Sequence, residues 1–313
     1  MSIVAITDYI TNPDIEKNIL GELVGFDIGK ETKVLMVWHQ KIDANILNSA
    51  PNLVGIQRYG VGYDNVDLEL LKSKNIIFCN NPDYCVDEVS DTAVGMIIGI
   101  TRGIFKYNAI SKKYFENWQE NILHNIRRTS FITVGIIGAG RIGGKVILKL
   151  RSLGFKTVFY DKYKENGWEK VLGSERVYRL DDLLEISDII SLHVPLNDET
   201  SGMVDENFLK KMKLGSSIVN TARGKLIKDL DIIYDYLVKN KLDSFCVDVL
   251  PEEPPIHGKL IEDWRNNKCL EGRIIINPHT SFYSKESFIE MREKAAKNVL
   301  RMLQSKNPLN RIV

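Results

Sequence analysis

The segment that most restricts what this chain can fold into is Gly138-Ala139-Gly140-Arg141-Ile142-Gly143, set between Ile136-Ile137 and a helical run containing Val146, Ile147 and Leu150. A strand feeding a helix through three glycines at this spacing commits the chain to a βαβ unit. Gly138 permits the tight turn, Gly140 lets the backbone approach a ligand, and Gly143 lets helix and strand pack closely. Free N–H donors and a partial positive charge at the helix start suit a pyrophosphate. The next strand ends in Phe159-Tyr160-Asp161, eighteen positions beyond Gly143. A carboxylate there accepts hydrogen bonds from adenosine ribose hydroxyls and repels the additional phosphate of NADP, so NAD is the expected cofactor. Lys162 and Lys164 offset part of that repulsion. The competing account is a plain glycine-rich turn followed by a chance acid, and strand, helix and acid together argue against it.

The rest of the chain carries the same alternation. Short apolar runs at Ile3–Ile6, Val34–Val37, Leu53–Ile56 and Ile76–Cys79 alternate with helical patterns before residue 100. A helical segment is expected from Val86 to about Tyr114. Further strands are expected at Val134–Ile137, Thr157–Tyr160, Ile189–His193, Ser217–Asn220, Phe245–Val249 and Ile274–Ile276, with a last helix over Ser284–Leu303. This is an α/β pattern of parallel, doubly wound sheets. At 313 residues the chain is long enough for two such cores.

Composition narrows the partners. Lysine and arginine number 42 against 41 acidic residues, a formal net charge of +1, so nothing in the balance favours nucleic acid or an anionic membrane. No apolar stretch approaches the ~18 residues that span a bilayer, and Met1-Ser2-Ile3-Val4 lacks a basic start and long apolar run. Cys79, Cys85, Cys246 and Cys269 show no C-x-x-C spacing and are expected as buried thiols in a reducing, cytoplasmic compartment. The five histidines show no ligand spacing, so no metal is expected.

Polar groups cluster just beyond the apolar runs of the middle segment. Asn220-Thr221-Ala222-Arg223-Gly224 follows Ser217–Val219, Asp248 closes Phe245–Val249, Glu253 comes five residues later, and Pro278-His279 follows Ile274–Ile276. Ligands of open α/β sheets bind outside the carboxyl ends of the strands, so these distant residues are brought together there. Reducing a 2-oxo acid needs a hydride for the carbonyl carbon and a proton for its oxygen. His279 supplies a proton near neutral pH, Glu253 orients the ring and favours its protonated form, and Arg223 bridges the substrate carboxylate and carbonyl oxygen. Asp248 is expected to hydrogen-bond the nicotinamide side. Singly, each has a bland reading: a surface arginine, a loop histidine, a solvated turn. Their succession after adjacent strands is what favours the chemical one.

With these residues in view the chain resembles the D-isomer-specific 2-hydroxyacid dehydrogenase family over nearly its whole length. The matching segments are Arg58–Asp67 (RYGVGYDNVD), Asn81–Thr92 (NPDYCVDEVSDT), Gly135–Gly143 (GIIGAGRIG), His193–Leu196 (HVPL), Asn220–Gly224 (NTARG), Asp248–Pro254 (DVLPEEP) and Pro278–Ser284 (PHTSFYS), in the family's order. The resemblance implies that Arg223, Glu253 and His279 form the family's catalytic triad. It implies further cofactor contacts from Arg141, Ile142, His193, Pro195, Thr200, Thr221 and Ala222. It also implies two Rossmann-like domains, a contiguous dinucleotide-binding domain (101–282) inserted into a flavodoxin-like substrate domain (1–100 and 283–313), and a homodimer.

Within the family the Arg58 segment, the Tyr84 segment and Ser287–Arg292 look similar to the C-terminal-binding-protein-like branch. There an arginine at the Arg58 position contacts substrate carboxylate, and Gly60-Val61-Gly62 offers backbone N–H groups to the same anion or is simply a turn. The eukaryotic corepressors of that branch carry tryptophan where this chain has Phe282, so their methylthio-oxo acid does not transfer directly. Tyr59, Tyr84 and Phe282 either line an apolar substrate pocket or belong to the core. The expected activity is NADH-dependent, reversible reduction of a small 2-oxo acid to the D-2-hydroxy acid. The alternatives are an NAD(H)-sensing, corepressor-like binding protein and a reductase of hydroxypyruvate or glyoxylate. A phosphorylated substrate such as phosphohydroxypyruvate ranks lower, because the motif loops offer only Arg58 and Arg223 as clear cations.

Overall fold

The computed structural model describes residues 2–113, 116, 118–266 and 269–313. The chain divides into two compact units, Met1–Cys85 with Tyr283–Val313, and Val86–Phe282.

The split unit holds five strands: β1 (Val4–Ile6), β2 (Val24–Gly25), β3 (Val34–Val37), β4 (Gly55–Arg58) and β5 (Ile77–Cys79). They pair in parallel in the order β2-β1-β3-β4-β5, the flavodoxin-like arrangement. Every residue of β3 is buried, as expected of a strand covered on both faces. The last helix, Lys285–Leu303, begins at Ser284, whose side chain accepts from the N–H of Ser287 while the Ser287 hydroxyl accepts from the N–H of Ser284. Arg292 of this helix ion-pairs with Glu16, which is fully buried (Nη2 to Oε2 2.5 Å), and with Asp14.

The contiguous unit holds seven strands: β6 (Thr133–Ile137), β7 (Lys156–Tyr160), β8 (Glu175–Arg176), β9 (Ile189–Leu192), β10 (Ser216–Asn220), β11 (Leu242–Val247) and β12 (Ile274–Ile276). Their order is β12-β11-β10-β9-β6-β7-β8, all parallel. This is the doubly wound order with one more strand, and its direction reverses between β6 and β9. Ala93 and Ile97 pack with Val146, Ile147 and Leu150 in one core layer. Leu183, Phe208, Ile233 and Leu237 belong to another.

Several expectations are corrected. The first boundary falls between Cys85 and Val86 rather than at 100/101, because the helix Val86–Thr101 buries Ala93 and Ile97 in the dinucleotide unit. The expected helix to Tyr114 breaks at Gly103, which adopts a left-handed φ of 64° before a second helix, Ile104–Ser111. Tyr114 itself lies outside the described residues. The two-residue edge strands β2 and β8 carry too little pattern to be visible in sequence. Cys79, Cys85 and Cys246 are buried, but Cys269 is exposed and donates its thiol to Asp263. No helix among the described residues is long and apolar enough to cross a membrane.

Removing the guanidinium from the buried pair leaves Glu16 without its counter-charge. Arg292→Ala is expected to lower the unfolding free energy by about 3 kcal/mol, the cost typical of breaking a buried ion pair. Urea denaturation measures it, and a loss below about 1 kcal/mol contradicts the account.

Candidate active site

The dinucleotide unit gathers its polar residues at one edge because all seven strands run the same way. Gly138 follows β6, Asp161 follows β7, His193 follows β9, Thr221 follows β10, Asp248 follows β11, and His279 lies three residues past β12.

The glycine turn is built by backbone approaches no side chain would survive. A Cβ on Gly143 would lie 1.9 Å from the carbonyl oxygen of Gly138, and one on Gly138 (φ 91°) 2.6 Å from that of His193. Gly140 differs: a Cβ there would meet nothing within 4 Å, so its role is access, not packing. Gly140 caps the helix Arg141–Ser152 without any side-chain hydrogen bond, which leaves the first N–H groups for an anion. Arg141 is exposed and Ile142 half-buried. Ala139 is held on both sides: its N–H donates to Asp161 Oδ2 at 2.9 Å, and its carbonyl accepts from Trp168 Nε1 at 3.0 Å. Trp168 escaped the sequence reading because nothing in its local pattern points to a contact 29 residues away.

His193 accompanies the turn as a neutral ring. Its Nε2 is 2.8 Å from Ser191 Oγ, its Nδ1 is buried with no partner among the described residues, and burial pushes its pKa down to about 4. Thr200 donates to the carbonyl of Pro195 at 2.6 Å and accepts from the N–H of Asn197, so it shapes the loop after β9. The Thr221 hydroxyl is buried with no hydrogen-bond partner among the described residues, at the carboxyl end of β10. An open Gly140, an uncapped helix start and this orphaned hydroxyl fit a dinucleotide.

Asn220, missed in sequence, folds the loop that carries Arg223: its amide oxygen accepts from the N–H of Ala222 at 3.0 Å and its amide nitrogen donates to the carbonyl of Arg223 at 2.8 Å. The signal was available in asparagine's habit of closing such turns. Arg223 is half-buried, with Nη1 donating to the carbonyl of Ala222 at 2.8 Å. Gly224 presses this loop onto the next, since a Cβ there would fall 1.9 Å from the carbonyl carbon of Leu250.

Glu253 and His279 form a direct couple, with Nδ1 to Oε2 at 2.7 Å. The other carboxylate oxygen of Glu253 accepts from the N–H of Leu250 at 2.8 Å. Burial pushes the Glu253 carboxyl up, but the hydrogen bond to His279, the charge of His279, the Leu250 N–H and the charge of Arg223 together outweigh it, and the carboxyl stays below its ordinary range. His279 adopts a left-handed φ of 55°, held by its N–H donating to the carbonyl of Asp248 at 2.8 Å. The Asp248 side chain, 2% exposed, accepts from the N–H of Thr280 and of Ser281, each at 3.0 Å. Asp248, expected on the nicotinamide side, thus also anchors the His279 turn. Among the described residues no group of three or more histidine, cysteine, aspartate or glutamate side chains is placed to hold a metal.

In the split unit Arg58 lies against the backbone of Gly60, where a Cβ would fall 2.2 Å from its Nη1, and its Nε donates to Asn65 at 3.2 Å. Asn80 donates to the carbonyl of Val61, which fixes the loop ahead of Gly62. Tyr59 is corrected from pocket to core: it is 0% exposed, and its hydroxyl donates to Glu16 at 2.9 Å. Tyr59 directly follows the last residue of β4, and its N–H still donates to the carbonyl of Val37 at 2.9 Å, which continues the strand's alternation by one residue. Tyr84 is buried, and Phe282 in the contiguous unit is half-buried.

A parallel sheet with this glycine turn and an imidazole–carboxylate couple at its carboxyl edge defines a nicotinamide-dinucleotide oxidoreductase. The family model "D-isomer specific 2-hydroxyacid dehydrogenase, NAD binding domain" matches residues 94–281, and the chain belongs to the D-isomer-specific 2-hydroxyacid dehydrogenase family, with NAD as its cofactor. It is 30% identical over 284 residues to the glyoxylate reductase of Thermofilum pendens, covering 90% of this chain and 81% of that protein. It is 31% identical over 272 residues to the glyoxylate reductase of Korarchaeum cryptofilum, covering 86% and 79%. Among solved structures it is similar to the D-lactate dehydrogenase of Aquifex aeolicus complexed with NAD and lactic acid, with a TM-score of 0.82, 26% identity and 96% coverage of both chains.

The contact between the Arg223 and Glu253 loops leaves no room for a methyl group. Gly224→Ala is expected to lower kcat/KM about a hundredfold, the scale of an ångström-sized misplacement, while circular dichroism stays native. Unimpaired kcat/KM would show the contact to be dispensable.

Proposed function

We propose that this dehydrogenase reduces a small, unphosphorylated 2-oxo acid to its D-2-hydroxy acid with NADH, reversibly, using Arg223, Glu253 and His279. The carrying observation is the 2.7 Å couple between His279 and Glu253, set at the carboxyl edge of the dinucleotide-binding sheet. NADH, when bound, would supply the hydride; the chain's own residues bind and orient the substrate and move the proton. His279 Nδ1 is committed to Glu253, so Nε2 is the nitrogen that delivers a proton to the carbonyl oxygen in reduction and takes it back in oxidation. Glu253 fixes the ring and stabilises the imidazolium. The Arg223 guanidinium holds the carboxylate and stabilises charge developing on the oxygen.

Arg58 with the Gly60–Gly62 backbone offers a guanidinium and N–H donors to a carboxylate, in keeping with the likeness of that segment to the C-terminal-binding-protein-like branch. The glyoxylate and D-lactate enzymes among the relatives support a small acid, without choosing between them. Preference for NADH over NADPH rests on Asp161, whose carboxylate follows β7. We assign the protein to the cytoplasm as a homodimer on the family pattern.

Loss of the general acid is expected to cost His279→Ala at least about a hundredfold in kcat, followed by NADH absorbance with glyoxylate or pyruvate; unchanged turnover removes His279 from the role. Asp161→Ala is expected to weaken discrimination against NADPH, read as the ratio of kcat/KM for the two cofactors, and an unaltered ratio refutes that reading of the carboxylate.

A further inference from the structure

Outside the catalytic couple, one group of charged side chains sits where the cofactor's adenosine end is read. Lys162 Nζ lies 2.6 Å from Glu199 Oε1, and the Tyr163 hydroxyl donates to Glu199 Oε2 at 2.5 Å. Lys162 also lies 5.1 Å from the centre of the Tyr163 ring. These residues come from two loops. Lys162 and Tyr163 follow Asp161 after β7, and Glu199 lies in the loop after β9. Because β6 runs between β7 and β9, the bridge joins the loops on either side of the strand that opens the glycine turn. Ligands of doubly wound sheets lie at this reversal of strand order.

The loop that carries the bridge is itself fixed. Asp161 accepts from the N–H of Tyr163 at 3.0 Å and from that of Ala139, and its carbonyl accepts from Arg176 Nη2 at 2.7 Å. Glu199 is seated in a turn, its N–H donating to Asn197 Oδ1 at 3.1 Å. Other cations near Asp161 are engaged differently: Arg176 with backbone carbonyls and the Tyr178 ring, Lys164 over the Trp168 ring. Lys162 is the cation next to Asp161 in sequence, and a carboxylate occupies it.

We propose that Glu199 is a cofactor-selectivity residue: by pairing with Lys162 it withholds that ammonium from the 2′-phosphate of NADPH, so that Asp161 meets the phosphate without a compensating cation. The hydrogen bond from Lys162 holds the Glu199 carboxyl below its ordinary range, and the bond to Glu199 holds the ammonium above its own, so both stay charged at neutral pH. An exposed pair of this kind is weak in itself; its effect lies in where it stands. With the partner made neutral, Lys162 is free to form a charge-assisted contact with phosphate.

The proposal rests on the reading of Asp161 as the ribose-binding acid, and its test separates the two. Dissociation constants for NADH and NADPH are measured by isothermal titration calorimetry, without substrate, for the wild-type protein, Glu199→Gln, Lys162→Ala and the double variant. Glu199→Gln is expected to shift the ratio toward NADPH by about five- to tenfold, the value of one added charged hydrogen bond. The double variant is expected to return to the wild-type ratio. A Glu199→Gln ratio within about twofold of wild type overturns the proposal, and so does a gain that survives removal of Lys162, which would make it simple loss of repulsion. Wild-type protein binding NADPH as tightly as NADH overturns the Asp161 reading, whatever Glu199→Gln does.

Discussion

The proposed proton donor stands on a turn that ordinary backbone preferences disfavour, and one buried carboxylate keeps it there. His279 sits at a positive φ, which costs an L-residue roughly 1 kcal/mol or more. Asp248 offsets that cost from two directions, its carbonyl receiving the N–H of His279 and its side chain those of Thr280 and Ser281. Burial raises the Asp248 carboxyl above its ordinary range, against the pull of Ser281, Thr280 and the charge of His279. With the turn fixed, the ring has one orientation in which Nδ1 meets Glu253, and the opposite nitrogen is left for chemistry. The Glu253 loop is tied in turn to the Arg223 loop through Gly224. Each proposed catalytic group is thus positioned by backbone contacts of its neighbour.

Much of this was legible in sequence because the governing signals are local. Three glycines between an apolar run and a helical pattern specify a turn wherever they occur, and continuous apolar runs such as Val34–Val37 announce strands buried on both faces. The proposed catalytic residues stood out because each follows such a run, and parallel strands bring their ends to one edge without further information. What stayed hidden depends on partners far along the chain. Tyr59 looks like a pocket residue until its neighbour Glu16 is located, and Trp168 has no visible task until Ala139 is placed beneath it. Asp248 was seen as polar and well placed, but its function as a scaffold appears only when the N–H groups of Thr280 and Ser281 are found aimed at it. Gly103 failed for another reason: the helical pattern continues on both sides of it, so only its left-handed backbone shows the break.

In the contiguous unit Glu253 and Asp161 fix loops at the carboxyl edge by accepting from backbone N–H groups, and Lys106 pairs with Asp243, both largely shielded from solvent. In the split unit, Glu16 and Arg292 are buried with Tyr59 and neutralise each other inside the protein. This pair joins the helix Asp14–Leu20 to the helix Lys285–Leu303 beneath the strand that presents Arg58. The half-buried Arg58 guanidinium at the end of that strand is held in turn by Asn65.

That buried pair also orders events during synthesis. Glu16 and Arg292 are 276 positions apart, so the carboxylate leaves the ribosome long before its counter-charge exists. Residues 86–282 contain all seven strands of their own sheet. The first 85 residues share their unit with the helix Lys285–Leu303, which pairs with Glu16 and lies far later in the chain. The split unit is therefore complete only once the chain has run through the whole contiguous one, so its closing ion pair is a contact of very long sequence separation.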